Sequence, residues 1–263
     1  MSIEFSEHTL PKPLAEAVAD YRWQRVFIGC STSQVFRLAG SSGECLYLKI
    51  ALRTLGRHLQ NERLRLDWLQ GVVPVPRVLM FIEDETYDHL LLSEVPGISA
   101  SDDSCKKDPR RVIDQLCAGL DLIHNVSIGN CPFDQSAGSQ LEQARQRAAK
   151  GLVDESDFDE SRLGKTASEV YAELVGCVPA GEELVFTHGD YCLPNVILNN
   201  LKLSGFIDLG RAGVADRYQD IALLARSVEA NFGREWVEHV YRSCRVTPDP
   251  AKIHFYTLLD EFF

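Results

Sequence analysis

His188-Gly189-Asp190-Tyr191-Cys192-Leu193-Pro194-Asn195, with Phe206-Ile207-Asp208-Leu209-Gly210 downstream of it, is the part of this chain from which the rest can be read. Between the two blocks, residues 196–198 and 203–207 are apolar β-prone runs joined through Asn199-Asn200, which predicts a β-hairpin. Asn195 stands just before the first strand and Asp208 just after the second. Closing the hairpin therefore brings an amide and a carboxylate to one end, next to the loop that carries Asp190. Hard oxygen ligands so gathered suit magnesium, which binds through one or two carboxylates plus substrate phosphates.

An aspartate, four residues and then an asparagine is the catalytic-loop spacing of protein kinases, where the Asp takes the substrate hydroxyl proton and the Asn holds a metal ion. Asp208-Leu209-Gly210 has the D-x-G form of the second metal site. The N-terminal third adds independent support. In Tyr47-Leu48-Lys49, strand alternation puts Tyr47 and Lys49 on one face. In the helix expected over residues 55–69, Leu55, Leu59, Leu66 and Leu69 form an apolar stripe, and Glu62 interrupts it. A carboxylate in such a stripe needs a partner, because burying it alone is costly. Lys49 is the natural one, and a strand Lys paired with a helix Glu ahead of D-x-x-x-x-N and D-x-G is the kinase order of parts.

The expected fold is therefore α+β, protein-kinase-like and two-lobed. Strands at 23–28, 33–38, 45–50, 77–82 and 89–94, with the one helix, predict an antiparallel N-terminal lobe over residues 1–95. The breaker cluster Val95-Pro96-Gly97 marks the boundary. Residues 96–263 predict a larger, mainly helical lobe around the catalytic hairpin. Asp108-Pro109 and Asp249-Pro250 read as helix starts, and Val112, Leu116, Leu120 and Ile123 keep helical spacing. Residues 134–150 read as a polar helix or loop, 184–187 as a short buried strand, and 154–160 (DESDFDE) as an acid-dense connector whose ordinary reading is a solvated loop.

The formal charge of −11, with no Lys/Arg-rich run, argues against nucleic acid and for a cationic ligand. The eight cysteines are scattered without a C-x-x-C pair, so they are expected to be reduced core thiols. No apolar leader opens the chain, and no stretch is long enough for a membrane helix. The expectation is a cytoplasmic protein with no membrane contact and no obligate protein partner. Gly164-Lys165-Thr166 mimics the end of a phosphate-binding P-loop, but Asp159 stands where that motif needs glycine. The histidines lack metal-site spacing. His124 reads as structural and His188 as an orienting group for the catalytic loop.

The blocks V-F-T-H-G-D-Y-C-L-P-N (185–195), S-G-F-I-D-L-G-R (204–211), A-D-R-Y-Q-D-I-A (215–222) and L-L-D-E-F-F (258–263) closely resemble the aminoglycoside 3′-phosphotransferases, kanamycin and neomycin kinases. The resemblance covers nearly the whole chain. It implies ATP-dependent phosphorylation of the 3′-hydroxyl of these antibiotics, with resistance as the outcome and ATP and Mg2+ as cofactors. Asp190 would orient and deprotonate the hydroxyl, and Asn195 and Asp208 would hold magnesium. Lys49, positioned by Glu62, would contact the α/β phosphates and Ser31 the β-phosphate. Tyr47 would stack on adenine, and the backbone from Ser93 to Val95 would bond its edge. The cationic aminoglycoside would meet Asp157, Asp159, Glu160, Asp190, Arg211, Glu229, Asp260, Glu261 and the carboxylate of Phe263. One departure stands out: the family tends to carry an acid where this chain has Ala230, which leaves Glu229 one position away. Two rivals predict different things. A choline- or fructosamine-type kinase shares the catalytic blocks but gives no reason for L-L-D-E-F-F. An inactive kinase-like binding module predicts the loss of Lys49, Asp190, Asn195 or Asp208, and all four are present.

Overall fold

The computed structural model describes residues 10–26, 33–53 and 58–263. The chain divides into two compact units, Met1–Val95 and Pro96–Phe263.

The first unit contains α1 (Lys12–Ala17), β1 (Arg22–Val26), β2 (Gln34–Ala39), β3 (Cys45–Leu52), α2 (His58–Leu69), β4 (Val78–Glu83) and β5 (Tyr87–Ser93). Its strands form one antiparallel sheet in the order β1-β2-β3-β5-β4. Leu38, Leu48, Ile50 and Leu91 fill one face, which Leu14 of α1 and Val18 just beyond it cover. Tyr47 and Lys49 alternate onto the other face. Helix α2 packs on β3, β4 and β5, with Leu59, Leu66 and Leu69 buried. Helix α1 is an addition to the sequence reading: six residues are too few to show a helical period.

The second unit contains β6 (Ile98–Ser99), α3 (Pro109–His124), α4 (Ala137–Ala149), α5 (Ala167–Gly176), β7 (Leu184–Thr187), β8 (Val196–Asn199), β9 (Lys202–Phe206), β10 (Gly213–Asp216), α6 (Tyr218–Phe232), α7 (Val237–Ser243) and α8 (Pro250–Asp260). The Asp108 and Asp249 side chains cap α3 and α8 ahead of their N-terminal prolines. The P-loop mimic resolves into a capping box, with Thr166 and Glu169 exchanging bonds at the start of α5. Buried α6 packs on α8, and the four apolar positions of α3 named above are all buried. Strand β6 extends the β8–β9 hairpin to three strands, and β10 pairs antiparallel with β7. Both additions are too short for alternation to reveal. Among the described residues no helix is long and apolar enough to cross a membrane.

Two expectations need correction. Cys117 and Cys244 are joined as a disulfide, so the cysteines are not all reduced. Their positions, 127 residues apart, give no local spacing signal, and only the packing of α3 on α7 brings them together. The hairpin turn falls on Asn200-Leu201 rather than Asn199-Asn200, with φ of +51° and +54°. Two left-handed central residues are what a two-residue type I′ loop requires. Asn tolerates that region, whereas leucine is strained there. Leu201→Gly should therefore raise stability by about 0.5–1 kcal/mol, the left-handed penalty less the added flexibility of the unfolded chain. A thermal melt should show a gain of about 1–3 °C for a chain of this size. A lower melting temperature would mean that packing of the Leu201 side chain outweighs its backbone strain.

Candidate active site

The loop His188-Gly189-Asp190 is held by a network that the sequence motifs did not disclose. Gly189 has φ +85°, and a Cβ there would meet the Arg211 carbonyl oxygen at 2.2 Å, so only glycine fits. Asp220, wholly buried in the first turn of α6, accepts from the amides of His188 and Gly189, each at 2.9 Å. His124 Nε2 lies 3.2 Å from the same carboxylate. Gln219 Nε2 donates to the Gly189 carbonyl at 3.0 Å and is itself paired with Gln140 of α4. His188 accepts from the Asp190 amide at Nδ1 (3.3 Å), which leaves Nε2 to donate to the Ile207 carbonyl at 3.0 Å. That bond links the catalytic loop to the residue before Asp208.

Asp190 itself is half-buried, and Asn195 Nδ2 donates to its Oδ2 at 2.8 Å and to its carbonyl at 3.0 Å. Burial raises the Asp190 carboxyl above the ordinary range, with help from the charges of Asp260 and Asp208 and opposition from Arg211 and His188. Burial and the Asp190 carboxylate push the Cys192 thiol far up, so it stays neutral. The Ile207 amide donates to the Asn195 carbonyl at 3.0 Å, closing the end of the hairpin that Asn195 and Asp208 flank in sequence. With both Asn195 Nδ2 bonds spent on Asp190, the side chain keeps Oδ1 as its acceptor. An amide oxygen and the Asp208 carboxylate form a hard donor set that fits magnesium.

In the first unit, Lys49 Nζ reaches both Glu62 oxygens, at 2.8 and 2.9 Å. The side chains are 13% and 4% exposed, so removing either partner takes a counter-charge from a buried group, at a cost of about 3–5 kcal/mol. The exposed Lys12–Glu16 pair contributes about 0–1 kcal/mol at most. Burial, and after it the charge of Glu94, raises the Tyr47 phenol. Ser93 exchanges bonds with Arg77, its amide donating to the Arg77 carbonyl and its hydroxyl accepting from the Arg77 amide. Val95 is half-buried at the end of the unit. Ser31 lies outside the described residues.

The acidic connector is an ordered segment. Asp154 accepts from Ser156 in a local turn, Glu155 accepts from the Ala167 amide at 2.7 Å, and Phe158 is buried. These tethers leave Asp157, Asp159 and Glu160 exposed. The Asp159 amide donates to Glu261 Oε2 at 3.1 Å, which joins the connector to the C-terminal end. Asp260 is held by two guanidiniums: Arg211 donates to Oδ1 at 2.6 Å, and Arg226 donates to Oδ2. Arg211 also lies over the Phe263 ring, 4.6 Å from its centroid, and Arg147 donates to the Phe262 carbonyl. Glu229 is exposed on α6, and its charge is felt at Tyr241 of α7. Among the described residues, no hydrogen bond or ion pair joins Glu229 to the Asp159–Glu261 contact. Sequence reasoning missed Arg162 and Arg226, the cations paired with these acids, and Arg147, which donates to the Phe262 and Leu152 carbonyls.

Known phosphotransferases share this fold and much of this sequence. The model of the phosphotransferase enzyme family matches residues 23–256. An aminoglycoside 3′-phosphotransferase of Niallia circulans is 35% identical over 260 residues, covering 98% of this chain and 99% of its own. The crystal structure of an aminoglycoside 3′-phosphotransferase of type VIII superposes with a TM-score of 0.87 at 35% identity, over 96% of this chain and 97% of that one. An aminoglycoside phosphotransferase of Streptomyces rimosus, solved with ADP and streptomycin, gives a TM-score of 0.81 at 29% identity, over 95% of each chain.

Glu261 supplies a test that needs no ligand. Burial, and after it the charge of Asp159, raises its carboxyl to about 7. A raised acid contributes stability that is complete below the unfolded-state value near 4.5 and is lost as pH climbs through about 7. Between pH 5 and 8 the melting temperature should therefore fall further in the parent than in Glu261→Gln. Parallel curves would show that Glu261 does not titrate in that window.

Proposed function

Because the chain belongs to the phosphotransferase enzyme family, in the company of aminoglycoside 3′-phosphotransferases that match it nearly end to end, we propose that it transfers the γ-phosphoryl group of ATP to the 3′-hydroxyl of aminoglycoside antibiotics and so confers resistance to them. The observation that carries this reading is the setting of Asp190: a carboxylate raised by burial and steadied by an amide whose remaining oxygen serves the hairpin end.

In this mechanism Asp190 accepts a hydrogen bond from the antibiotic hydroxyl and takes its proton as the oxygen attacks the γ-phosphorus. The bond to the bridging oxygen breaks, and ADP leaves with the electron pair. A base with a raised pKa takes that proton more readily near neutral pH. Asn195 Oδ1 and the Asp208 carboxylate are the ligands for magnesium, which when bound neutralises charge on the phosphates. Lys49 contacts the α/β phosphates, and Glu62 acts by fixing the ammonium. Ser31 meets the β-phosphate, Tyr47 stacks on adenine, and the backbone of Ser93 and Val95 bonds its edge. The reaction belongs in the cytoplasm, where ATP is at hand.

The polycationic antibiotic is drawn by the exposed acids Asp157, Asp159 and Glu160, together with Glu261 and the C-terminal end at Phe263. Glu229 joins them from α6 in place of the acid absent at Ala230. Both Asp260 oxygens are engaged by arginines, so its part is to hold Arg211 and Arg226 at the rim of the site. The density of acids favours this substrate over the single cation of choline.

An ADP-release assay across kanamycin, neomycin, tobramycin and choline tests the proposal. Kanamycin and neomycin should turn over, whereas choline should not. Tobramycin, which lacks the 3′-hydroxyl, should bind competitively without release of ADP, and its efficient phosphorylation would overturn the 3′ assignment. Asp190→Asn should lower kcat by about two to four powers of ten with nucleotide affinity nearly unchanged, since general-base catalysis is worth that much. Near-parental turnover would remove Asp190 from the mechanism.

A further inference from the structure

Just past the acid-rich connector lies a cation that the reaction itself does not use. Arg162 closes the short turn Glu160–Arg162 and is only 7% exposed. Its guanidinium faces three carboxylates from three places in the chain. One NH1 contact runs to Asp159 Oδ2 at 3.4 Å and another to Glu261 Oε1 at 3.3 Å, while NH2 lies 3.5 Å from Glu173 Oε1 on α5. Glu173 also holds Lys165, and His254 stands 4.0 Å from it.

We infer that Arg162 is a positioning residue of the antibiotic site, whose buried charge clamps the acidic connector to the C-terminal end so that both present their carboxylates to one ligand. This rests on the reading of that region as the aminoglycoside site. Two ties join the segments: the Asp159 amide bond to Glu261, and the guanidinium shared between the same two side chains. The amide bond alone brings two acids together, which costs repulsion unless a cation lies between them. Arg162 is the buried cation placed there. All its carboxylate contacts exceed the 2.7–2.9 Å of a strong charge-assisted bond, and its Nε has no hydrogen-bond partner. The clamp thus works through charge shared among three acids rather than through one tight fork. With the charge removed, Asp159 and Glu261 relieve their repulsion by moving apart or by taking up a proton, so the site loses either the fixed relation of connector and C-terminal end or one of its negative charges.

Arg162→Gln keeps a polar amide donor on a shorter side chain and removes the charge. The KM for kanamycin should rise about tenfold or more, with kcat within a few-fold of the parent and the KM for ATP unchanged. Arg162→Lys restores the charge but not the fork, so its KM should fall between the two. Glu173→Gln, which takes away the acid farthest from the proposed ligand, should leave the kanamycin KM near the parental value. A lower melting temperature with an unchanged kanamycin KM in folded Arg162→Gln would make the residue purely structural and overturn the inference. If Arg162→Gln does not fold, Arg162→Met, equally uncharged and apolar enough for a buried place, carries the same test, and a parental kanamycin KM there overturns it equally. The underlying reading is tested apart from this by Asp157→Asn with Glu160→Gln, two exposed acids that do not touch Arg162. An unchanged kanamycin KM in that pair would sink the site itself. A raised KM there beside a parental KM in the uncharged Arg162 variant would sink only the clamp.

Discussion

The carboxylate of Asp220 receives two consecutive backbone amides, those of His188 and Gly189, in a place that water does not reach. Hydrogen bonds to a charged group contribute about 1.5–3 kcal/mol each, and without Asp220 both amides would be buried and unsatisfied. The acceptor sits in the first turn of α6, where the helix dipole favours an anion. With that turn of backbone pinned, Gly189 must take its left-handed φ against Arg211, and Asp190 emerges in one direction only. His188 then passes the constraint to Ile207, so Asp208 is placed by the same anchor that places Asp190. The hairpin brings Asn195 and Asp208 to one end, but α6 decides where the hairpin and the loop meet.

The sequence made the proposed reacting residues legible and left their supports hidden. Asp190, Asn195 and Asp208 stood out because metal and base chemistry restricts both residue type and spacing. Glu62 stood out because a carboxylate within a leucine stripe breaks a pattern. Asp220 broke no pattern: it lies in a polar helix start, where an acid is ordinary. Arg162 was masked by the acids around it, which made the whole segment read as solvated. The buried Phe158 was the available sign that the connector is anchored, yet one aromatic among six polar residues is weak evidence. The hairpin itself was readable, but its turn was misplaced by one residue because leucine is a poor indicator of a left-handed position. The disulfide had no local signature, since helix packing alone brings Cys117 to Cys244.

The acidic surface proposed for the polycation faces a difficulty of its own making, because carboxylates packed together tend to take up protons rather than share a negative field. Asp260 and Glu261 are adjacent and both partly buried, yet they go opposite ways. Burial would raise Asp260, but Arg211 and Arg226 each take one of its oxygens and bring it below the ordinary range. Glu261 has one guanidinium, 3.3 Å away and divided among three acids, with Asp159 beside it, and it drifts up to about 7. The distance and sharing of arginines, more than the number of acids, decide which carboxylates are charged at neutral pH. A chain with a formal charge of −11 can thus still depend on its cations to keep a negative site negative.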